Sequence, residues 1–122
     1  MGIQERSFSY YEPLRKLRRY VEEHYEDEIS LGSAAEVACL EPRYFSHYFH
    51  SKVGICFSDW LSRFRVSKAM ELMGTKDDLV LDIALDVGFG SLRTFERAFR
   101  KQTSLTPLQF KLSMRPKPPP AG

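Results

Sequence analysis

The residues with the clearest chemistry are four charged side chains near the C-terminal end of the sequence. They recur at i, i+3, i+4 and i+7, so on a helix they would share one face: Arg93, Glu96, Arg97 and Arg100. Phe95 and Phe99 would then point the opposite way, toward a core. Three guanidinium groups on one face suit a polyanion, although a solvated helix surface can have the same pattern. This stretch alone leaves both interpretations open.

Two short helices joined by a tight turn would position that face. Ile83, Ala84 and Val87 give the first helix an apolar side, and Gly88 suits the left-handed position that ends it. Ser91 can cap the second helix by accepting a hydrogen bond from a backbone N–H two or three residues on. The spacing therefore predicts a helix-turn-helix unit.

The same pattern occurs earlier in the chain, at an offset of 49 residues in the first helix and 50 in the second. The apolar pairs are Ala34 with Ile83, Ala35 with Ala84, Ala38 with Val87, Leu40 with Phe89, Phe45 with Phe95, Phe49 with Phe99, Ile55 with Leu105 and Trp60 with Phe110. The outward face of the earlier copy carries Arg43, Ser46, His47 and His50. A repeat of this length predicts two helix-turn-helix units, with recognition helices at about 42–52 and 91–102.

The first copy departs from the second at two turn positions. Cys39 stands where Gly88 stands, and Glu41 occupies the position expected for a Ser or Asp cap, followed by Pro42 at the first helical position. We expect the first turn to be the more strained of the two.

Three further helices are predicted around the repeat. Pro13 begins an amphipathic helix to about Tyr25, and Thr106-Pro107 begins a last helix to about Met114. Between the copies a helix over 57–73 is about 25 Å long, which suits a spacer between recognition helices about 34 Å apart, one DNA turn. The predicted organisation is a flexible lead-in at 1–12, a double helix-turn-helix domain at 13–113 and a disordered Pro-rich tail at 114–122.

Charge is distributed unevenly along the 122 residues. Residues 1–41 hold five Lys/Arg and nine Asp/Glu, whereas residues 42–122 hold thirteen and seven. Basic charge thus coincides with the repeat, which favours a nucleic-acid partner, double-stranded DNA. No apolar run approaches the roughly 20 residues of a membrane helix and no signal peptide is evident. We expect no membrane association and a cytoplasmic, nucleoid-associated location.

The chemistry of a metal site or an enzyme is not evident in the sequence. Cys39 and Cys56 form no CxxC pair, and Cys56 with His47 and His50 lacks a fourth ligand and matches no structural zinc spacing. No spacing gathers Ser, His and Asp into a catalytic group. We expect no metal, no cofactor and no enzymatic activity. A helical protein-interaction module that does not bind DNA is the alternative.

These motifs resemble the DNA-binding domain of the AraC/XylS family of bacterial transcription regulators, over about 14–111. The resemblance rests on Ile83, Ala84, Val87, Gly88 and Phe89, then Phe95, Arg97, Phe99, Arg100, Lys101 and Pro107, and in the first unit on Leu31, Ala35, Pro42, Tyr44, Phe45, Phe49, Lys52, Gly54, Arg65 and Ala69. Cys39, Glu41, Ser104 and Lys111 depart from the family pattern.

The resemblance implies an all-α fold of seven helices, with two helix-turn-helix units joined by a long linker helix. It also implies that both recognition helices enter successive major-groove segments on one face of the duplex. Family members often activate transcription by contacting RNA polymerase. The domain alone is expected to be monomeric, and dimerisation, where it occurs, is expected through a separate N-terminal domain.

Roles for individual side chains follow from the outward positions. Arg93 and Arg97 suit bidentate bonds to guanine, and Glu96 either accepts from cytosine or pairs with a neighbouring arginine. The other residues expected to contact bases are Leu92 and Thr94, toward a thymine methyl, and Arg43, Ser46 and His47 in the first unit. Phosphate contacts are expected from His50, Lys52, Arg100 and Lys101 and from the helix N-termini at Pro42 and Ser91. Arg65 is expected to bridge the two units.

Overall fold

The computed structural model describes residues 3–75 and 78–114, and regular structure in those residues is helical throughout. The helices are α1 (Ser7–Tyr10), α2 (Glu12–His24), α3 (Leu31–Val37), α4 (Pro42–Val53), α5 (Phe57–Thr75), α6 (Val80–Asp86), α7 (Leu92–Thr103) and α8 (Pro107–Met114). The all-α prediction is confirmed, and the seven expected helices correspond to α2–α8. The tail predicted at 114–122 lies outside the described residues beyond Met114, which itself ends α8. None of the described helices is long and apolar enough to cross a membrane.

The chain divides into two compact units, the first ending at Arg65 and the second beginning at Val66. The division falls inside α5, so this helix carries the chain from one unit to the next. The helix continues to Thr75, two residues past its predicted end, and Gly74 lies within it.

Aromatic rings form the core of the first unit. Phe49 on α4 is its centre, with ring centroids 5.8 Å from Phe45, 5.5 Å from Phe57 and 5.8 Å from Trp60. Helix α4 packs on α3 and also on α1, which lies against α2. The inward-facing prediction for Phe45 and Phe49 is confirmed, because both are fully buried.

The expectation of a flexible lead-in at 1–12 is wrong for the described part of that segment. The backbone N–H of Gln4 donates to the carbonyl of Val53 at 2.8 Å, and the Ser7 hydroxyl donates to the carbonyl of Lys52. Phe8 is 2% exposed and stacks on Trp60 with centroids 4.9 Å apart. The last carbonyls of a helix have no partner within it, so the segment supplies donors to α4 while adding a ring to the core.

The core of the second unit is a row of four phenylalanines. Centroids lie 5.2 Å apart for Phe89 and Phe95, 5.6 Å for Phe95 and Phe99, and 5.4 Å for Phe99 and Phe110. The contact between Phe99 and Phe110 matches that between Phe49 and Trp60, as the 50-residue offset predicts. The repeat in sequence is therefore a repeat in packing.

Left-handed backbone marks two equivalent positions in each unit. At the helix-turn-helix turn φ is 61° for Cys39 and 99° for Gly88, and after the recognition helix it is 100° for Gly54 and 66° for Ser104. This conformation costs a residue with a Cβ roughly 1–2 kcal/mol. The expected strain at Cys39 is confirmed in these terms. Each unit thus has glycine at one position and a strained residue at the other.

Side-chain caps fix the starts of the repeat helices. The Ser91 hydroxyl accepts from the Thr94 N–H at 3.2 Å, as predicted. Thr106 accepts from the Gln109 N–H at 3.1 Å and begins α8. At α4 the Glu41 carboxylate accepts from the Tyr44 N–H at 3.0 Å. Glu41 therefore serves as the cap that a Ser or Asp would provide.

Candidate nucleic-acid interface

Helix α7 presents the predicted charged face to solvent. Phe95 and Phe99 anchor the inner side and are fully buried. The four outward side chains and Lys101, which follows them, are all exposed: Arg93, Glu96, Arg97, Arg100 and Lys101. Within the described residues none of these five forms an ion pair, so the alternative of a pair between Glu96 and a neighbouring arginine is not realised.

Two arginines of α2 are paired with acidic neighbours. On α2, Arg18 lies 3.2 Å from Glu22 and 3.8 Å from Glu5, and Arg15 lies 3.9 Å from Glu12. Surface pairs of this kind add little stability, but they do cancel local charge. Helix α7 differs in carrying three exposed arginines on one face, none of which forms an ion pair within the described residues.

The α7 N-terminus holds two more of the predicted base-contacting residues. Thr94 is exposed, and its hydroxyl accepts a hydrogen bond from Ser91 at 3.0 Å. Leu92 is half-buried. The neutral Ser91 cap leaves this helix end with its positive electrostatic potential, which suits a phosphate.

The outward face of α4 is less charged than that of α7. Arg43, His47 and His50 are exposed and, among the described residues, take part in no ion pair. Ser46 is half-buried, and its hydroxyl donates to the carbonyl of Pro42 at 3.4 Å. The structure thus brings these four residues onto one helix, with Ser46 on the side nearer the core.

The expected phosphate anchor at the N-terminus of α4 is contradicted by the local geometry. Hydrogen bonds from the backbone N–H groups of Tyr44 and then Arg43 lower the pKa of Glu41 and so favour its ionised carboxylate. A negative charge therefore occupies the position a phosphate would take.

Lys52 is held by aromatic rings. Its Nζ lies 4.8 Å from the ring centroid of Tyr11 and 5.9 Å from that of Tyr48, within cation–π distance. The side chain is half-buried as a result. Lys52 is thus directed along the flank of α4, where four tyrosines lie.

These tyrosines are residues that sequence reasoning missed as a surface. Tyr44 and Tyr48 have centroids 5.9 Å apart, Tyr48 and Tyr11 6.1 Å, and Tyr11 and Tyr10 4.8 Å. Burial raises the pKa of the Tyr48 hydroxyl. The spacing of Tyr44, Tyr48 and Lys52 at i, i+4 and i+8 was the available signal.

Arg65, expected to bridge the two units, forms its hydrogen bonds within the first unit. Its Nε donates to the carbonyl of Tyr25 at 3.0 Å and its Nη2 to that of Asp27 at 2.8 Å, both within the first unit. Burial lowers the pKa of this guanidinium. Through these two hydrogen bonds, Arg65 connects helix α5 to the loop that follows α2.

Cysteine and histidine do not gather into a metal site. Cys39 and Cys56 are both exposed free thiols. Across residues 3–75 and 78–114, no three His, Cys, Asp or Glu side chains are grouped so that they could hold a metal ion.

Comparison with known proteins decides the family. A model of a helix-turn-helix domain of AraC type matches residues 34–113, which is most of the chain and extends from within α3 to within α8. The chain belongs to the AraC/XylS family. The matched residues form a DNA-binding helix-turn-helix domain of this family, whose members are transcription regulators.

Curated relatives of this AraC-family chain are longer regulators. It is 33% identical over 98 residues to the regulatory protein PocR of Salmonella typhimurium, and 30% identical over 99 residues to the arabinose operon regulatory protein of Escherichia coli. Each match covers 80% of this chain but only 32% and 34% of the relative. The chain thus spans about a third of the length of these relatives.

Solved structures with the same fold include a DNA complex. The DNA-binding domain of AdpA in complex with a target DNA has a TM-score of 0.81 and 27% identity, covering 91% of this chain and 100% of that one. The C-terminal domain of AraT, a response regulator from Geobacillus stearothermophilus, has a TM-score of 0.79 and 27% identity, covering 92% and 93%.

Proposed function

We propose that this regulator inserts α4 and α7 into successive major-groove segments on one face of the duplex and that it activates transcription. The observation that carries the proposal is the exposed, unpaired arginine face of α7. An α-helix is about 10–12 Å wide with its side chains, which matches the roughly 12 Å width of the major groove. The DNA-binding domain of AdpA has the same fold and was solved in complex with a target DNA, which supports DNA binding by this fold.

Base recognition in the second unit falls to the centre of the α7 face. Arg93 and Arg97 are free to form bidentate bonds with guanine O6 and N7 because no carboxylate holds them. Glu96 accepts from the cytosine amino group, and Leu92 with the Thr94 methyl contacts thymine. Arg100 and Lys101 neutralise phosphates beside the groove.

Base recognition in the first unit is weaker. Arg43 and His47 contact base edges, while Ser46 adds a shorter contact from the side of the helix. His50 and Lys52 contact phosphate. Because Glu41 places a negative charge at the start of α4, we assign most of the affinity to the second unit.

Two substitutions on α7 test this assignment. Arg97→Ala should weaken binding to a site selected from a random DNA pool by about 1–3 kcal/mol and relax one base preference. Lys101→Ala should weaken binding to every sequence and reduce the salt dependence by about one phosphate contact. Arg19→Ala, an exposed arginine on α2, is the matched control for the loss of one charge.

The selected site itself tests the geometry. Two unlike half-sites about one helical turn apart would support insertion of both helices, whereas a single short half-site would refute it. Activation by contact with RNA polymerase requires that the protein raise transcription in vitro from a promoter carrying the site. No increase over a promoter without the site would refute the activator role.

A further inference from the structure

The flank of α4 carries a continuous surface that no base-recognition role explains. We define the tyrosine edge as the set Tyr10, Tyr11, Tyr44, Tyr48 and Lys52, linked by the ring and cation–π contacts described above. Tyr10 is 78% and Tyr44 57% exposed. Within the described residues none of the four hydroxyls has a hydrogen-bond partner in the protein. The edge thus offers four unused hydroxyl donors and one ammonium group.

The position of this edge on the helix follows from its sequence spacing. At about 100° per residue, Tyr44 and Tyr48 lie roughly 40° and 80° from the direction opposite the buried side of α4, which is formed by Phe45, Phe49 and Val53. A helix that fills the major groove directs its outermost side chains at the bases and its flanks at the strands on either side. His50 lies on the other flank, so the tyrosines face the opposite strand.

We propose that the tyrosine edge binds the phosphate backbone of one DNA strand, beside the groove that receives α4. The inference rests on the proposed function, since it needs α4 in the groove. Tyrosine hydroxyls donate to phosphate oxygens, and Lys52 adds a positive charge. Its ammonium is held by two ring faces, so little side-chain freedom remains to be lost on binding.

The chain limits this contact to the first unit. The positions of α7 equivalent to Tyr44, Tyr48 and Lys52 hold Thr94, Ala98 and Gln102, which have neither ring nor positive charge. The Glu41 carboxylate lies at the N-terminal end of the edge, on the Tyr44 N–H. Charge therefore places the contacted phosphate toward Tyr48 and Lys52. The phosphate contact of the tyrosine edge would offset the repulsion between DNA and the Glu41 carboxylate at the start of α4.

Phenylalanine variants separate the hydroxyls from the packing. The double variant Tyr44→Phe/Tyr48→Phe keeps both rings and the cation–π contacts but removes two donors. We expect it to bind both a selected-site duplex and a random-sequence duplex about three- to tenfold more weakly. Lys52→Gln should reduce the salt slope by about 0.9. Tyr20→Phe, which removes a hydroxyl from α2 outside the edge, should bind like the parent.

A modified duplex locates the contact. Neutral methylphosphonates placed one at a time along the selected site should weaken parent binding at a phosphate flanking the first half-site. In the double variant, the same methylphosphonate should change the affinity little, because the hydroxyls that contact this phosphate are already absent. Should thermal melting show the double variant to be less stable, Tyr48→Phe alone, on the side of the edge nearer Lys52, gives the same comparison.

Several results would overturn the inference. Parent-like binding by the tyrosine variants, or a loss confined to the selected duplex, would refute a backbone contact. Reduced transcription with unchanged DNA binding would assign the edge to a protein partner instead. If Arg97→Ala behaves as expected while the tyrosine variants match the parent, this inference alone fails. If the parent does not prefer the selected duplex over random DNA, the proposed function and this inference fail together.

Discussion

Replacing Cys39 by glycine should stabilise the protein although it removes a side chain. Cys39 has a φ of 61° in the first helix-turn-helix turn, where an L residue pays roughly 1–2 kcal/mol. Glycine removes that cost, but its greater conformational freedom in the unfolded chain lowers the stability by about 0.4–1 kcal/mol. The thiol itself contributes little, since it is exposed and its hydrogen bond to the Val37 carbonyl is 3.9 Å long.

The difference leaves about 0.5–1 kcal/mol of added stability for Cys39→Gly. For a domain of this size that corresponds to a rise of roughly 2–5 °C in melting temperature. Calorimetry under reducing conditions measures the change directly. Cys39→Ala controls for loss of the thiol, because alanine keeps the strained Cβ and should melt close to the parent.

The mirror substitution in the second unit completes the test. Gly88→Ala places a Cβ at φ 99° and should lower stability by a similar amount. A Cys39→Gly variant that melts at or below the parent, together with a Gly88→Ala variant that melts with it, would refute the reasoning from left-handed backbone.

Two other predictions follow from the first unit. Phe8→Ala should lower the free energy of unfolding by about 3–5 kcal/mol, because the ring is 2% exposed. Tyr10→Ala is the control: this side chain is 78% exposed, so its loss should change the free energy of unfolding by less than about 0.5 kcal/mol. Equal effects of the two substitutions in denaturant titrations would contradict the packing of α1. The pKa of Glu41 is lowered in the folded chain, so its stabilisation is complete above the unfolded pKa of about 4.3 and is lost as pH falls through the folded value. The melting temperatures of the parent and Glu41→Gln should therefore converge as the pH falls below the unfolded pKa of Glu41, and a constant difference would argue against the cap. Glu41→Ser, which keeps a cap without the charge, should bind random-sequence duplex more tightly than the parent, and weaker binding in the same titration would contradict the assigned repulsion.

Sequence periodicity was sufficient to predict the buried positions where both copies of the repeat have the same apolar pattern. Phe45, Phe49, Phe95 and Phe99 recur at helical spacing, and each is fully buried. The Ser91 and Thr106 caps were also predictable, because serine and threonine cap helices through local hydrogen bonds that need no tertiary information.

Features that depend on distant contacts could not be predicted in this way. Helix α1 has only four residues and one deeply buried ring, Phe8, which is too short a segment to show a period. Its order comes from α4, more than 40 residues away in sequence, which supplies carbonyl acceptors and ring contacts. Lys52 was expected to contact phosphate directly. Its cation–π contact with Tyr11, 41 residues earlier in the chain, could not be predicted from the residues around Lys52.

The attachment of the N-terminal segment to α4 has a practical consequence for anyone who modifies this end of the protein. The Gln4 N–H and the Ser7 hydroxyl are bonded to the final carbonyls of a recognition helix. A purification tag or fluorescent fusion joined just ahead of Gln4 could disturb these two hydrogen bonds and so the C-terminal end of α4. Such a fusion could therefore lower DNA affinity by fraying the end of α4, with every base-contacting side chain unchanged.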